Sequence, residues 1–217
     1  MRHVGPAELT YILLAARWTI LLSVAALVGG GVFGAILTLA GISRWRPLRR
    51  TVIGFAELVQ GTPLLILLLL AYFGLSALGV DLGALLSSAL ALTLYAGVFL
   101  ATIWKAAIDA VSPGQWEGAA ALGLKRGEQL RLVILPQALR IALPPTCGFV
   151  VQVIKNTSLA SIVGFIELTR AGQIVSNVTF QPLPAFAAVA VIYFVLCLPF
   201  TLLTEWLEGR GTVTANP

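Results

Sequence analysis

The chain has 217 residues, 59% of them hydrophobic and only 11% charged, with a mean hydropathy of +0.96. Soluble domains carry about 25% charged residues, so this composition excludes an ordinary water-soluble fold and a second soluble domain. The formal net charge of +5 calls for no nucleic acid; on a membrane protein it reports orientation.

Charge-free runs occupy 18–43, 58–80, 82–104, 141–154, 156–166 and 171–204. A bilayer core takes about 20 apolar residues per helix. The first three runs and the last are long enough alone. The fourth and fifth combine into one span, broken only at Lys155. The sequence therefore predicts an all-α, polytopic membrane protein with five transmembrane helices. Residues 1–17 form an outer N-terminal segment, 18–206 the membrane domain and 207–217 a tail. The first apolar run is too long for a secretory signal and lacks a clear cleavage site. Cys147 and Cys197 fall in predicted spans, which points to neither a disulfide nor a metal site. His3 is the only histidine, so no zinc cluster is available.

In the first span, Gly30 and Gly34 form a small-xxx-small pair, the pattern that lets a neighbouring helix approach closely. The second opens on Gln60-Gly61-Thr62-Pro63. Pro63 lacks a backbone donor, and such breaks survive in membranes where they face protein or water. A helix start near the interface and a bend lining a path fit equally. The third span ends at Trp104-Lys105, read as interfacial anchoring.

A polar interruption then runs from Glu117 to Pro145. Ser112 is a candidate helix cap and Pro113 suits a first helical position. Glu117 sits in the first turn, where a negative charge favours the helix dipole. Gly123 suits a left-handed helix end. A second short helix is expected over about 125–135. Pro136, Pro144 and Pro145 are expected to interrupt the entry to the fourth span. This segment is either a solvated loop helix or a rigid lever gripped by a partner outside the bilayer.

Arg44, Arg46, Arg49, Arg50, Lys105, Lys125, Arg126, Arg131, Arg140 and Arg210 fall on one side of a five-span chain, against Arg2, Arg17 and Arg170 on the other. The positive-inside rule places the N-terminus outside and the C-terminus in the cytoplasm. The interruption is then cytoplasmic.

Lys155 is a cation between apolar runs, followed by Asn156, Thr157 and Ser158. It is either the wall of a translocation path, attracting a carboxylate, or a cation snorkelling to an interface. Gln60, Thr62, Thr102 and Gln152 either line that path or bond between helices. Glu167 and Arg170, on the outer side, fit a docking patch or a local surface ion pair. No internal repeat supports a gradient-driven transporter, and no nucleophile–base or metal-ligand set appears in the spans.

The order Glu117-Gly118-Ala119, Gly123, Ile134-Leu135-Pro136 resembles the EAA loop of bacterial ABC-importer permeases. Gly61-Thr62-Pro63-Leu64-Leu65, Tyr72-Phe73-Gly74, Gly114-Gln115-Trp116, Lys155-Asn156-Thr157-Ser158-Leu159 and Glu167-Leu168-Thr169-Arg170-Ala171 narrow it to the polar amino acid class of histidine and glutamine uptake. The likeness runs from about residue 19 to 206.

It implies a type I importer permease of the bacterial inner membrane, itself not an enzyme. A separate ATPase dimer would bind ATP and Mg. The partners would be that dimer, a second identical or homologous permease, and a periplasmic amino-acid-binding protein. Glu117, Gly118, Ala119 and Gly123 would contact the ATPase. The chain departs from the pattern at Gly118, where EAA has alanine, at Gln60, where many relatives have Arg, and at Thr102, where many have Glu. Gly118 and Gly123 have P-loop spacing, but Leu124 stands where the phosphate-binding Lys belongs, so the chain holds no nucleotide site of its own.

Overall fold

A computed structural model describes residues 3–213, with side chains from 3 to 209, and these residues contain no strand. Arg2 and part of the tail 207–217 lie outside the described residues. The helices are α1 (Pro6–Gly41), α2 (Arg46–Gln60), α3 (Leu64–Ala77), α4 (Gly83–Asp109), α5 (Pro113–Ala121), α6 (Arg126–Val163), α7 (Leu168–Thr179) and α8 (Pro182–Val213). Among the described residues α1, α4, α6 and α8 are long and apolar enough to cross a membrane, and the bent pair α2–α3 makes a fifth crossing.

The first helix starts earlier than its charge-free run. Pro6 opens it, and the Glu8 carboxylate accepts from the Gly5 amide at 3.1 Å. Its first turns do not hang free. Ile12 and Ala16 are buried against Leu168, Val175, Ala185 and Val189, which pins this end to α7 and α8. Further along, α1 lies against α4. A Cβ on Gly30 would sit 2.7 Å from the Ala96 Cβ, and one on Gly34 would sit 2.8 Å from the Gly97 carbonyl oxygen. The small pair therefore meets a helix of its own chain.

The break at Gly61-Thr62-Pro63 is a bend of 98° between α2 and α3. Pro63 cannot continue the ladder, and the Thr62 hydroxyl donates back to the Leu58 carbonyl at 2.8 Å. The apolar side of α2 (Val52, Phe55, Ala56 and Val59) packs on Leu37, Val98 and Ala101. The central core joins Leu22 and Ala26 of α1, Leu64 of α3, Leu92, Tyr95 and Ala96 of α4, and Phe149 and Val153 of α6.

Two expectations are corrected here. Pro136, Pro144 and Pro145 do not interrupt the fourth span, and the short helix expected over 125–135 is not separate. From Arg126 to Val163 the chain is one helix, α-helical over Leu135–Asn156, with Pro144 and Pro145 inside it. A π-helical stretch, Gln129–Ile134, stands just before Pro136, a local widening that accommodates a missing backbone donor. The Trp104 indole N–H donates to the Thr146 hydroxyl at 3.1 Å and ties α4 to α6.

Candidate functional site

Between α4 and α6 the chain forms a short lever. Pro113 stands in the first turn of α5, and Ser112 at its cap makes no side-chain capping bond. The far end is closed by Gly123, whose φ is +75°. The Gly123 amide donates to the Ala120 carbonyl at 2.9 Å and the Leu124 amide to the Ala119 carbonyl at 3.2 Å, the paired bonds of a Schellman end. Ala119 is buried, whereas Glu117, Gly118, Ala120 and Ala121 face out. A Cβ on Gly118 would meet nothing within 4 Å, so its departure from alanine is a matter of helix propensity, about 1 kcal/mol, and not of space. Leu122, at 81% exposed, stands out at the tip. An apolar residue beside a glycine helix end was the available signal for it, and the sequence reading passed over it.

The lever is tied to the long helix beside it. The Gln137 amide donates to the Gln115 side-chain oxygen at 3.1 Å. The Arg126 guanidinium lies 4.9 Å from the centre of the Trp116 ring. Trp116 and Leu130 pack on a cluster of Ile108, Val111, Ile134 and Ala138. These contacts join α5 to α6, the helix that also carries Lys155.

That residue opens onto a groove of about 590 Å³ between α6 and α8, lined by Lys155, Ser158, Tyr193, Cys197 and Thr201 among others. Among the described residues Lys155 is the only charged side chain lining it. Here α6 tightens from α to 3-10 geometry over Thr157–Val163 and ends at Gly164 with φ +85°. The Ser158 hydroxyl donates to the Lys155 carbonyl at 2.7 Å.

The remaining candidates are not gathered at this groove. Thr157 is buried and its hydroxyl donates to the Ile154 carbonyl at 2.7 Å, while Asn156 is half-buried beside it. The Gln152 amide donates to the Tyr95 hydroxyl at 2.9 Å. The Gln60 amide donates to the Thr102 hydroxyl at 2.9 Å, in a separate cleft between α1, α2 and α4. Thr62 is engaged within its own turn. Gln60, Thr102 and Gln152 thus bond between helices.

Glu167 is not the surface group expected. It is fully buried and caps α7, accepting from the Thr169 amide at 2.8 Å and the Arg170 amide at 2.9 Å. The Tyr193 hydroxyl donates to the same carboxylate at 3.0 Å, so Glu167 fixes a side chain of the groove wall. Burial pushes the Glu167 carboxyl above the usual carboxylate range, against the hydrogen bonds that favour its charged form. The Arg170 guanidinium donates to Gln173 at 3.1 Å. Glu167→Ala leaves two helix-start amides without an acceptor and takes from the half-buried Tyr193 hydroxyl one of its two partners, the other being the Thr169 hydroxyl at 3.1 Å. The expected loss is roughly 2–3 kcal/mol, read as a lowered unfolding temperature of the purified protein.

Residues 30–212 match the family model described as binding-protein-dependent transport system inner membrane component. The chain is 32% identical over 200 residues to the probable amino-acid ABC transporter permease protein YckA of Bacillus subtilis, covering 92% of this chain and 88% of that one. It is 35% identical over 201 residues to the glutamine transport system permease protein GlnP of Escherichia coli, covering 90% of each. Among solved structures, an amino acid ABC transporter crystallised with histidines superposes with a TM-score of 0.87 at 32% identity, over 93% of this chain and 94% of that one. An inward-facing MetNI methionine ABC transporter shares the fold, with a TM-score of 0.71 at 19% identity.

Proposed function

The chain belongs to the binding-protein-dependent transport system inner membrane component family, and from that premise we propose how it works as the permease of an amino acid importer. It is a multi-pass permease subunit of an ATP-binding-cassette importer of the bacterial inner membrane. It is not itself an ATPase, since hydrolysis belongs to a separate component. Its cargo is a polar amino acid, and a binding protein delivers it.

The lever α5 seats in the ATPase through Glu117, Gly118 and Gly123, with Leu122 at its tip; Ala119, expected at that contact, is buried and instead packs the lever against its own chain. ATP and Mg stay on that partner dimer, and the permease carries no cofactor of its own. The N-terminus lies outside and the C-terminus in the cytoplasm; the membrane domain expected over 18–206 is extended at its start, because α1 runs from Pro6 and packs in the bundle from Ile12. The open groove holding Lys155 and Ser158, with Asn156 and Thr157 behind it, is one wall of the translocation path. A second permease, identical or homologous, supplies the other. Gln60, Thr62, Thr102 and Gln152 stand apart from that wall and hold neighbouring helices and turns together.

The observation that carries this reading is the lever itself: a glycine-ended helix with a small-residue outer face, fastened to the helix that bears Lys155. The test is reconstitution into vesicles with the ATPase and the binding protein. Uptake that requires all three components and ATP is the expected result. Uptake at full speed by this chain alone overturns the proposal.

A further inference from the structure

At the end of the bundle where α5 lies, a second cleft of about 410 Å³ opens between the ends of α1 and α4, the start of α2 and the start of α6. Arg44, Arg49, Lys105 and Arg126 line it, and Asp109, bonded to Lys105, is its only carboxylate. Arg126 is held in place over Trp116. This excess of positive charge comes from three separate parts of the chain, the basic run 44–49, Lys105 and Arg126, which the fold brings together.

The cleft has a continuation of opposite character. A narrower apolar cleft of about 180 Å³ shares Leu39 and Ile108 with it, and runs up into the bundle past Ala35, Trp104, Ala138 and Ala142. From Leu135 to Ala142 that is about 10 Å along α6. Trp45, 65% exposed between Arg44 and Arg46, marks the same level as a membrane interface. A free phosphate or a protein carboxylate would use the charged part and leave the apolar part empty.

We propose that these two clefts form one binding site for an anionic phospholipid of the cytoplasmic leaflet. The phosphodiester headgroup sits among Arg44, Arg49 and Lys105, and an acyl chain lies along the groove past Ala35 and Ile108. The site rests on the cytoplasmic placement of this end given above. Because Arg126 also holds Trp116 of the lever, an occupied site braces α5 against α6, and the lipid supports coupling.

The test uses the assembled complex with its ATPase, purified in detergent and offered phosphatidylglycerol, phosphatidylcholine or inorganic phosphate, with retained ligand read by native mass spectrometry. Wild type retains phosphatidylglycerol in preference to phosphatidylcholine. The double variant Arg44→Gln/Arg49→Gln weakens that retention about twenty-fivefold, each basic residue near an anionic surface contributing about fivefold. Ala35→Phe fills the apolar groove and lowers lipid retention while leaving the headgroup pocket intact.

Equal retention of phosphatidylcholine, or phosphatidylglycerol binding unchanged in the double variant, overturns the site. Unchanged lipid retention in Ala35→Phe, with inorganic phosphate competing, reduces it to an anion pocket and overturns the lipid assignment. Loss of the ATPase from the double variant with its lipid still bound makes the cleft a protein contact. ATP-driven uptake by a wild type that retains no phosphatidylglycerol overturns the site and leaves the transport reading standing.

Discussion

Gly123→Val inserts into the membrane and assembles with its partners, but uptake falls by about tenfold or more while the ATPase continues to turn over. The reason is backbone conformation. Gly123 sits at φ +75°, and a Cβ there would meet nothing within 4 Å, so a side chain has room. A β-branched residue in the left-handed region is a genuine outlier and costs about 1–2 kcal/mol or more. Valine relieves that strain by moving to negative φ. This breaks the two bonds that close α5, from the Gly123 amide to Ala120 and from the Leu124 amide to Ala119. The lever then leaves its helix end at a different angle, and Leu122 with it.

Because α5 is fastened to α6 through Gln115, Gln137, Trp116 and Arg126, the span itself keeps its packing. Measured together, uptake into vesicles and ATP hydrolysis separate under this substitution. Asn at the same position tolerates the left-handed conformation and retains most of the uptake. Transport by Gly123→Val at the wild-type rate removes Gly123 from the coupling contact.

Why that lever was readable in the sequence, and other parts were not, follows from the range of the interactions involved. Runs without charge report burial in lipid directly, so α4 is legible as it stands, and α8 once the run 171–204 is divided at Phe180, where α7 ends. The end of α5 is a local matter too, since the glycine that follows three alanines and Leu122 carries its own conformational preference. The first helix was placed too short because Arg17 ends the charge-free run, although Ile12 and Ala16 continue the helix by packing on α7 and α8. The bend at Gly61-Thr62-Pro63 was legible as a break, but its angle is set by Val59 and Phe55 lying down on α1 and α4.

Pro136, Pro144 and Pro145 misled because a proline in a water-exposed helix loses a bond that nothing restores. Here a π-helical turn takes up the first of them. Glu167 misled more deeply. A carboxylate at the end of an apolar run reads as surface, and the partner that buries it, Tyr193, stands 26 residues away on another helix. Gln60 and Thr102 illustrate the same limit, since a bond across 42 residues of chain has no local signature.

Lys155→Met lowers uptake roughly tenfold while stimulation of the ATPase by the loaded binding protein persists, which separates a defect in the path from a defect in folding or coupling. Among the described residues the ammonium is the one charge lining the groove between α6 and α8, and the wall around it is apolar apart from Ser158, Tyr193, Cys197 and Thr201. An amino acid entering that groove brings a carboxylate that must leave water. A charge-assisted hydrogen bond contributes about 1.5–3 kcal/mol, the right size for a tenfold to hundredfold effect. Methionine keeps the length and the apolar stem, so the groove keeps its shape and loses its charge.

The rival account, a cation that snorkels to an interface, predicts a different pattern. Removing a snorkelling charge changes stability or insertion and leaves substrate preference untouched. Comparing amino acids with and without a free carboxylate therefore decides between them. Lys155→Met loses its discrimination in favour of the free carboxylate, and Lys155→Arg restores part of it. A methionine variant with intact uptake and the same ranking of substrates removes Lys155 from the path.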